Sequence, residues 1–133
     1  MRSSQIDIYI NAILSGITNE LSGILSPDIE AVSPTSPMIL TDMTNITTGL
    51  GLVSKIVQGL KLVRIYQASE NWHLTVFTGN IDGDIISFSD QLHINDSSLI
   101  DRLEIFLWPT SIAGKFSIAI SDFLKNIPTS PNP

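Results

Sequence analysis

Residues 61–89 read KLVRIYQASENWHLTVFTGNIDGDIISFS. Three runs inside this stretch, Leu62 to Ala68, Trp72 to Thr78 and Asp84 to Ser89, are rich in β-branched and aromatic side chains. Such side chains fit a pleated, half-buried surface. Ser69-Glu70-Asn71 separates the first two runs, and Asp82-Gly83 precedes the third. Asp-Gly between apolar runs is a strong hairpin signal, because both residues tolerate the positive φ of a tight turn. The stretch therefore predicts three antiparallel strands in a meander.

Downstream, Ser97 or Ser98 can cap a short helix carrying Leu99, Ile100, Leu103 and Leu107, but Arg102 to Trp108 also reads as a strand. Pro109 ends either element. Phe116, Ile118 and Ile120 alternate, whereas Ile120, Phe123, Leu124 and Ile127 have helical spacing, which gives a short C-terminal helix. Upstream, Leu50, Val53, Ile56, Val57 and Leu60 share a face of a second helix from about Thr48 to Leu60, weakened by Gly49, Gly51 and Gly59. Residues 28–37 hold Pro34 and Pro37 among small and acidic residues, the pattern of an extended linker.

The N-terminal segment repeats Leu14-Ser15-Gly16-Ile17 as Leu21-Ser22-Gly23-Ile24. Ser3 or Ser4 can cap a helix there. Ile6, Ile10, Ile13, Leu14, Ile17, Leu21, Ile24 and Leu25 then recur at helical spacing until Pro27 stops the pattern. Gly16 and Gly23 each cost roughly 1 kcal/mol against alanine inside a helix, and they let another backbone approach closely. The predicted fold class is α+β: an N-terminal helix, a second helix packed on a small antiparallel β-sheet, and a short C-terminal helix. The predicted organisation is a helical arm at 1–27, a linker at 28–37, a single body at 38–127 and a loose tail at 128–133 with three prolines.

The chain has 133 residues, 43% hydrophobic and only 15% charged. A typical soluble domain has about 25% charged residues. A surface so poor in charge is cheap to desolvate against another protein. The net charge of −6 argues against nucleic acid, whose phosphates reward a basic footprint. Lys55, Lys61 and Arg64 form a basic stretch, and Asp82, Asp84, Asp90, Asp96, Asp101 and Glu104 follow with Arg102 as the one base among them. Such segregation can steer one subunit onto another. The chain has no cysteine, which excludes disulfides, thiolate catalysis and cysteine metal sites. No apolar run before Asp7 reads as a secretory signal. The uncharged runs Ile8–Asn19 and Met43–Ser54 fall short of the ~20 residues that span a bilayer.

Residues able to carry chemistry do not assemble into a motif. Asn80, Asp82 and Asp84 alternate as at the start of a calcium loop, but the sixth and twelfth positions hold Ile85 and Gln91 in place of glycine and glutamate. Gly49-Leu50-Gly51 begins a dinucleotide fingerprint that Ser54 breaks. His73 and His93 are the two histidines, and no Gly-x-Ser-x-Gly elbow occurs. Tyr66 beside Arg64 has the make-up of a base-stacking pair, which the acidic balance opposes.

These observations predict no enzyme, no cofactor and no metal. They predict a structural subunit that self-associates into a homo-oligomer, of the kind found in a virus or phage particle, and located there or in the cytoplasm. Its interface would combine the apolar stripe Ile6, Ile10, Ile13, Leu14, Ile17, Leu21 and Ile24 with Lys55, Lys61 and Arg64. The alternative is a small acidic chaperone or adaptor that binds another protein as a dimer.

Overall fold

The computed structural model describes residues 4–34 and 38–125, the side chains of 123–125 excepted. Pro37 of the expected linker and the expected tail 128–133 lie outside the described residues. The element order is α1 (Ser4–Ser15), β1 (Leu25–Val32), α2 (Met43–Ile56), β2 (Gln58–Gln67), β3 (Trp72–Ile81), β4 (Asp84–Ile94), β5 (Ile100–Trp108) and α3 (Ala113–Lys125).

The five strands form one mixed sheet in the order β1-β5-β4-β3-β2. β1 runs parallel to β5, and the other neighbours are antiparallel. Asp82 (φ 51) and Gly83 (φ 89) make the two-residue turn that the Asp-Gly signal indicated, closed by the Ile81–Asp84 pair. Along β4 the buried positions Ile86, Phe88, Asp90 and Leu92 alternate with half-buried Ser87, Ser89 and Gln91, so one face of the sheet is turned to the core. Phe77 of β3 and Leu103 of β5 lie on the same face, in the rows of Phe88 and Leu92.

The expected fold class is corrected. The sheet is not a small antiparallel one carrying a single helix; strands dominate, and three helices accompany a five-stranded mixed sheet. Two misread segments account for the difference. Residues 25–32 were expected to end a helix and begin a linker, but they form β1, an edge strand. Pro27 falls where the β1–β5 register shifts between Leu25 and Glu30, a place where a missing N–H breaks no ladder bond. Residues 100–108, ambiguous between helix and strand, become β5 because both ladder edges are taken, by β4 and by β1.

The first helix also stops sooner than its apolar spacing suggests. Gly16 has φ 76, and its N–H donates to the Ala12 carbonyl at 2.8 Å, the left-handed ending that glycine allows without strain. A Cβ on Gly16 would lie 2.5 Å from Ser54 Oγ and 3.2 Å from the Gly51 carbonyl oxygen. The close approach that glycine permits is therefore made to α2 of the same chain. α2 starts earlier than expected, at Met43, because Asp42 Oδ1 accepts from the N–H groups of Thr44 (2.8 Å) and Asn45 (3.2 Å).

Candidate functional site

The helical stripe of α1 places Tyr9 among Ile6, Ile10 and Ile13, all buried. The alternation of β4 places Asp90 on the core face between Phe88 and Leu92. The two polar side chains meet in this apolar surrounding: the Tyr9 hydroxyl donates to Asp90 Oδ2 at 2.5 Å. Asp90 is only 3% exposed, and its Oδ1 has no hydrogen-bond partner among the described residues. Burial drives the Asp90 carboxyl up to about 7, against a smaller pull downward from the Tyr9 hydrogen bond. The same burial, with the Asp90 charge alongside, holds the Tyr9 hydroxyl well above its ordinary value.

Asp90 lines a cavity of about 290 Å³ between the sheet and the helices. Pockets for small molecules run from roughly 300 to 1,000 Å³. The sheet side is Phe77, Phe88 and Leu103; α2 supplies Ile46 and Leu50; α3 supplies Phe116, whose ring meets Phe88 edge-on at 5.2 Å. The remaining polar lining, Ser33, Asn45 and Thr48, is half-buried or exposed and marks the mouth. The interior is thus apolar with one carboxyl in it. A carboxyl titrating near neutrality passes a proton in either direction at little cost, which is the requirement for general acid–base work.

A second cleft, open and polar, lies at the other end of the strands, lined by Asp28, Glu30, Trp72, His93, Asp101 and Arg102 among others. His93 Nδ1 contacts Asp101 Oδ1 at 2.6 Å, and the Trp72 ring lies 5.0 Å from the imidazole. Arg102 bridges Glu30 (2.8 Å) and Glu104 (2.9 Å). His93, Asp101, Arg102, Glu30 and Glu104 are paired with one another in these contacts, so most of the charge here is compensated.

The residues expected to form an interface fall in two environments. Ile6, Ile10, Ile13, Leu21 and Ile24 are buried in this chain's own core, and Ile13 also lines the cavity. Leu14 and Ile17 are exposed, Ile17 at 67%. Lys55, Lys61 and Arg64 are exposed, and Arg64 Nη1 donates to the Tyr66 hydroxyl at 3.2 Å. His73 is buried, and burial lowers its pKa; it does not join His93. Among the described residues no group of three His, Asp or Glu side chains is arranged to hold a metal. No described helix is long and apolar enough to cross a membrane.

Sequence reading passed over Tyr9 and counted Asp90 only as one charge of an acidic stretch able to steer subunits, whereas Asp90 is buried and offers no surface charge. Both carry a signal in the pattern. Tyr9 is the one hydroxyl-bearing side chain within the stripe of isoleucines, and Asp90 is the one acid in the i, i+2 series Ile86, Phe88, Asp90, Leu92. A polar side chain in a buried periodic position is the informative exception in a core.

No family model and no curated protein sequence matches the chain. Solved structures do. A protein from Silicibacter pomeroyi with a cystatin-like fold superposes with a TM-score of 0.83 at 17% identity, covering 92% of this chain and 86% of that one. A steroid delta-isomerase from Pseudomonas aeruginosa gives 0.83 at 15% identity, covering 92% and 90%. An NTF-2 like protein from Burkholderia xenovorans gives 0.65 at 13% identity, covering 78% and 80%. The expectation of a self-assembling structural subunit, and of a virion component in particular, is corrected by these neighbours: they are a cystatin-like, an isomerase and an NTF-2 like protein, not particle proteins, and most of the stripe meant to join copies lies in the chain's own core. The chain has the NTF2-like fold, a fold that also serves an isomerase.

Proposed function

We propose that this protein binds a small, largely apolar molecule in the cavity and that Asp90 moves a proton on it. One observation carries the reading: a carboxyl on the floor of an apolar cavity, with one oxygen held by Tyr9 and the other unpaired. A buried unpaired polar atom costs about 1–3 kcal/mol, and active sites are where such costs are retained. Asp90 takes the proton as a carboxylate and returns it as the acid; Tyr9 holds the carboxyl in place through Oδ2. The surrounding Phe77, Phe88, Leu103 and Phe116 exclude water, which keeps the carboxyl basic enough to accept a proton near neutral pH.

The reaction class that suits one such carboxyl is a proton shift next to a carbonyl. The carboxylate removes a proton from one carbon, the electron pair moves through the carbonyl, and the same proton returns to another carbon, so nothing is gained or lost. The likeness to a steroid delta-isomerase supports this class. The test uses one- and two-ring β,γ-unsaturated ketones in D2O, with isomerisation and deuterium uptake followed by NMR. Wild-type protein should accelerate isomerisation, and because the same proton returns, most of the product should carry no deuterium at the receiving carbon. D90N should lose about 100-fold or more, the usual contribution of a positioned acid–base group. Equal rates for D90N and wild type, or no acceleration by either, would overturn the proposal.

A further inference from the structure

Asp90 Oδ1 is not the only buried oxygen without a partner. Thr75 Oγ1 is the other such side-chain atom among the described residues. Thr75 is completely buried, and it lies directly across the β3–β4 ladder from Asp90. Ile105 of β5 completes the row on the other side of Asp90. Cross-strand partners point to the same face, with Cβ atoms about 5 Å apart. Two neighbouring oxygens, one with a proton to give and one with lone pairs to receive it, are thus both left unsatisfied in an apolar interior. Rotation about χ1 carries the threonine hydroxyl among three staggered positions around Cβ, on the sheet face it shares with Asp90.

We propose that Thr75 is a positioning residue for Asp90, its hydroxyl donating to the carboxyl oxygen that Tyr9 leaves free. The inference rests on reading Asp90 as the working group of the cavity. With Tyr9 on Oδ2 and Thr75 on Oδ1, the ionised carboxyl is held from α1 and from β3 in one orientation. When Asp90 is protonated, the Thr75 oxygen accepts instead, so the contact serves both halves of a proton transfer.

The surroundings leave few other groups able to set this titration. Tyr9 comes from α1. His73 lies at the preceding core-facing position of β3, opposite Leu92, and burial lowers its pKa, which disfavours the charged ring. The cavity side presents Asn45 from α2, Ile105 from β5, and Phe116 and Ile120 from α3, none of them charged.

The test is an NMR titration of the Asp90 carboxyl in the whole chain, labelled with 13C at aspartate and assigned with D90N. T75V and T75A remove the hydroxyl, and T75S keeps it. The midpoint should rise by about one pH unit in both T75V and T75A, a tenfold change in proton affinity, and T75S should titrate with the wild type. A purely packing role would leave the midpoint unmoved in T75V, which preserves the shape of threonine. The inference is overturned if T75V and T75A titrate with the wild type. It is equally overturned if both fail to fold while T75S folds, since the hydroxyl then serves stability alone. No ketone enters this experiment, so its failure is distinct from a failure of the proton-shift reaction.

Discussion

Asp90 and Asp101 sit on adjoining strands of one sheet and meet opposite fates. Asp90 of β4 faces the helices, has one tyrosine hydroxyl for company and keeps an oxygen unpaired. Asp101 of β5 lies in the open cleft at 31% exposure, against the His93 imidazole at 2.6 Å, with the Arg102–Glu30 and Arg102–Glu104 ion pairs beside it. The contrast is one of solvent. In the cleft, water and opposite charge satisfy each group, so the ion pairs are worth little and hold little chemical potential. In the cavity, desolvation raises the free energy of the carboxylate with no full repayment, and that raised basicity is what a ligand could use.

The sharpest way to break this contrast is to remove the wall that dries Asp90. Phe88→Ala should destabilise the protein by about 3–5 kcal/mol in denaturant unfolding. Phe88 is buried beside Asp90 on β4 and packs edge-on against Phe116. The same variant admits water, so the Asp90 carboxyl should titrate closer to its ordinary value. A destabilised Phe88→Ala whose Asp90 midpoint is unchanged would mean that burial is not what lifts it.

The pH dependence of stability comes next. The Asp90 carboxyl is raised from 3.8 to about 7 on folding, so the folded state holds the proton more tightly. Its contribution to stability is fully present below pH 4 and fades as pH rises to 7, by roughly 4 kcal/mol at about 1.4 kcal/mol per unit. His73 works in the opposite sense: its lowered pKa favours folding above its ordinary value of 6.5 and is lost as pH falls. Denaturation profiles of wild type and D90N separate the two, because D90N should flatten the decline between pH 4 and 7 and leave the histidine slope. Parallel profiles would remove Asp90 from the account.

Tyr9→Phe is a smaller perturbation. It leaves Asp90 Oδ2 without its donor at a cost of about 1–3 kcal/mol, greatest above pH 7 where the carboxylate is unprotected. Because the Tyr9 bond pulls the carboxyl downward, its loss should push the Asp90 midpoint further up. Arg102→Gln in the open cleft should have the least effect, under about 1 kcal/mol, and less again in high salt. An Arg102 variant as damaging as Tyr9→Phe would erase the distinction between the two ends of the sheet.

Local structure was readable where neighbours in sequence decide it. The runs at 72–78 and 84–89 fall within β3 and β4, the run at 62–68 overshoots the end of β2 by one residue, and Asp82-Gly83 makes its turn, because side-chain branching and positive-φ tolerance act within a few residues. The helical stripe Ile6, Ile10, Ile13 was also visible, and its burial follows from its spacing. What covers such a stripe is not a property of spacing. An apolar helix face buries equally well on another copy or on its own sheet, and here α1 is covered by its own chain.

The order and kind of residues alone therefore determined that a core would form, that thiol chemistry is absent, and where several strands and one hairpin lie. Only the tertiary structure decided that residues 25–32 join β5 as a parallel edge strand, since that pairing brings together segments some seventy residues apart and leaves no local trace. It alone decided the site. Tyr9 and Asp90 are 81 positions apart, and neither residue type by itself announces a buried pair. Their joint burial creates the desolvated carboxyl, and desolvation belongs to the packed interior rather than to any stretch of sequence.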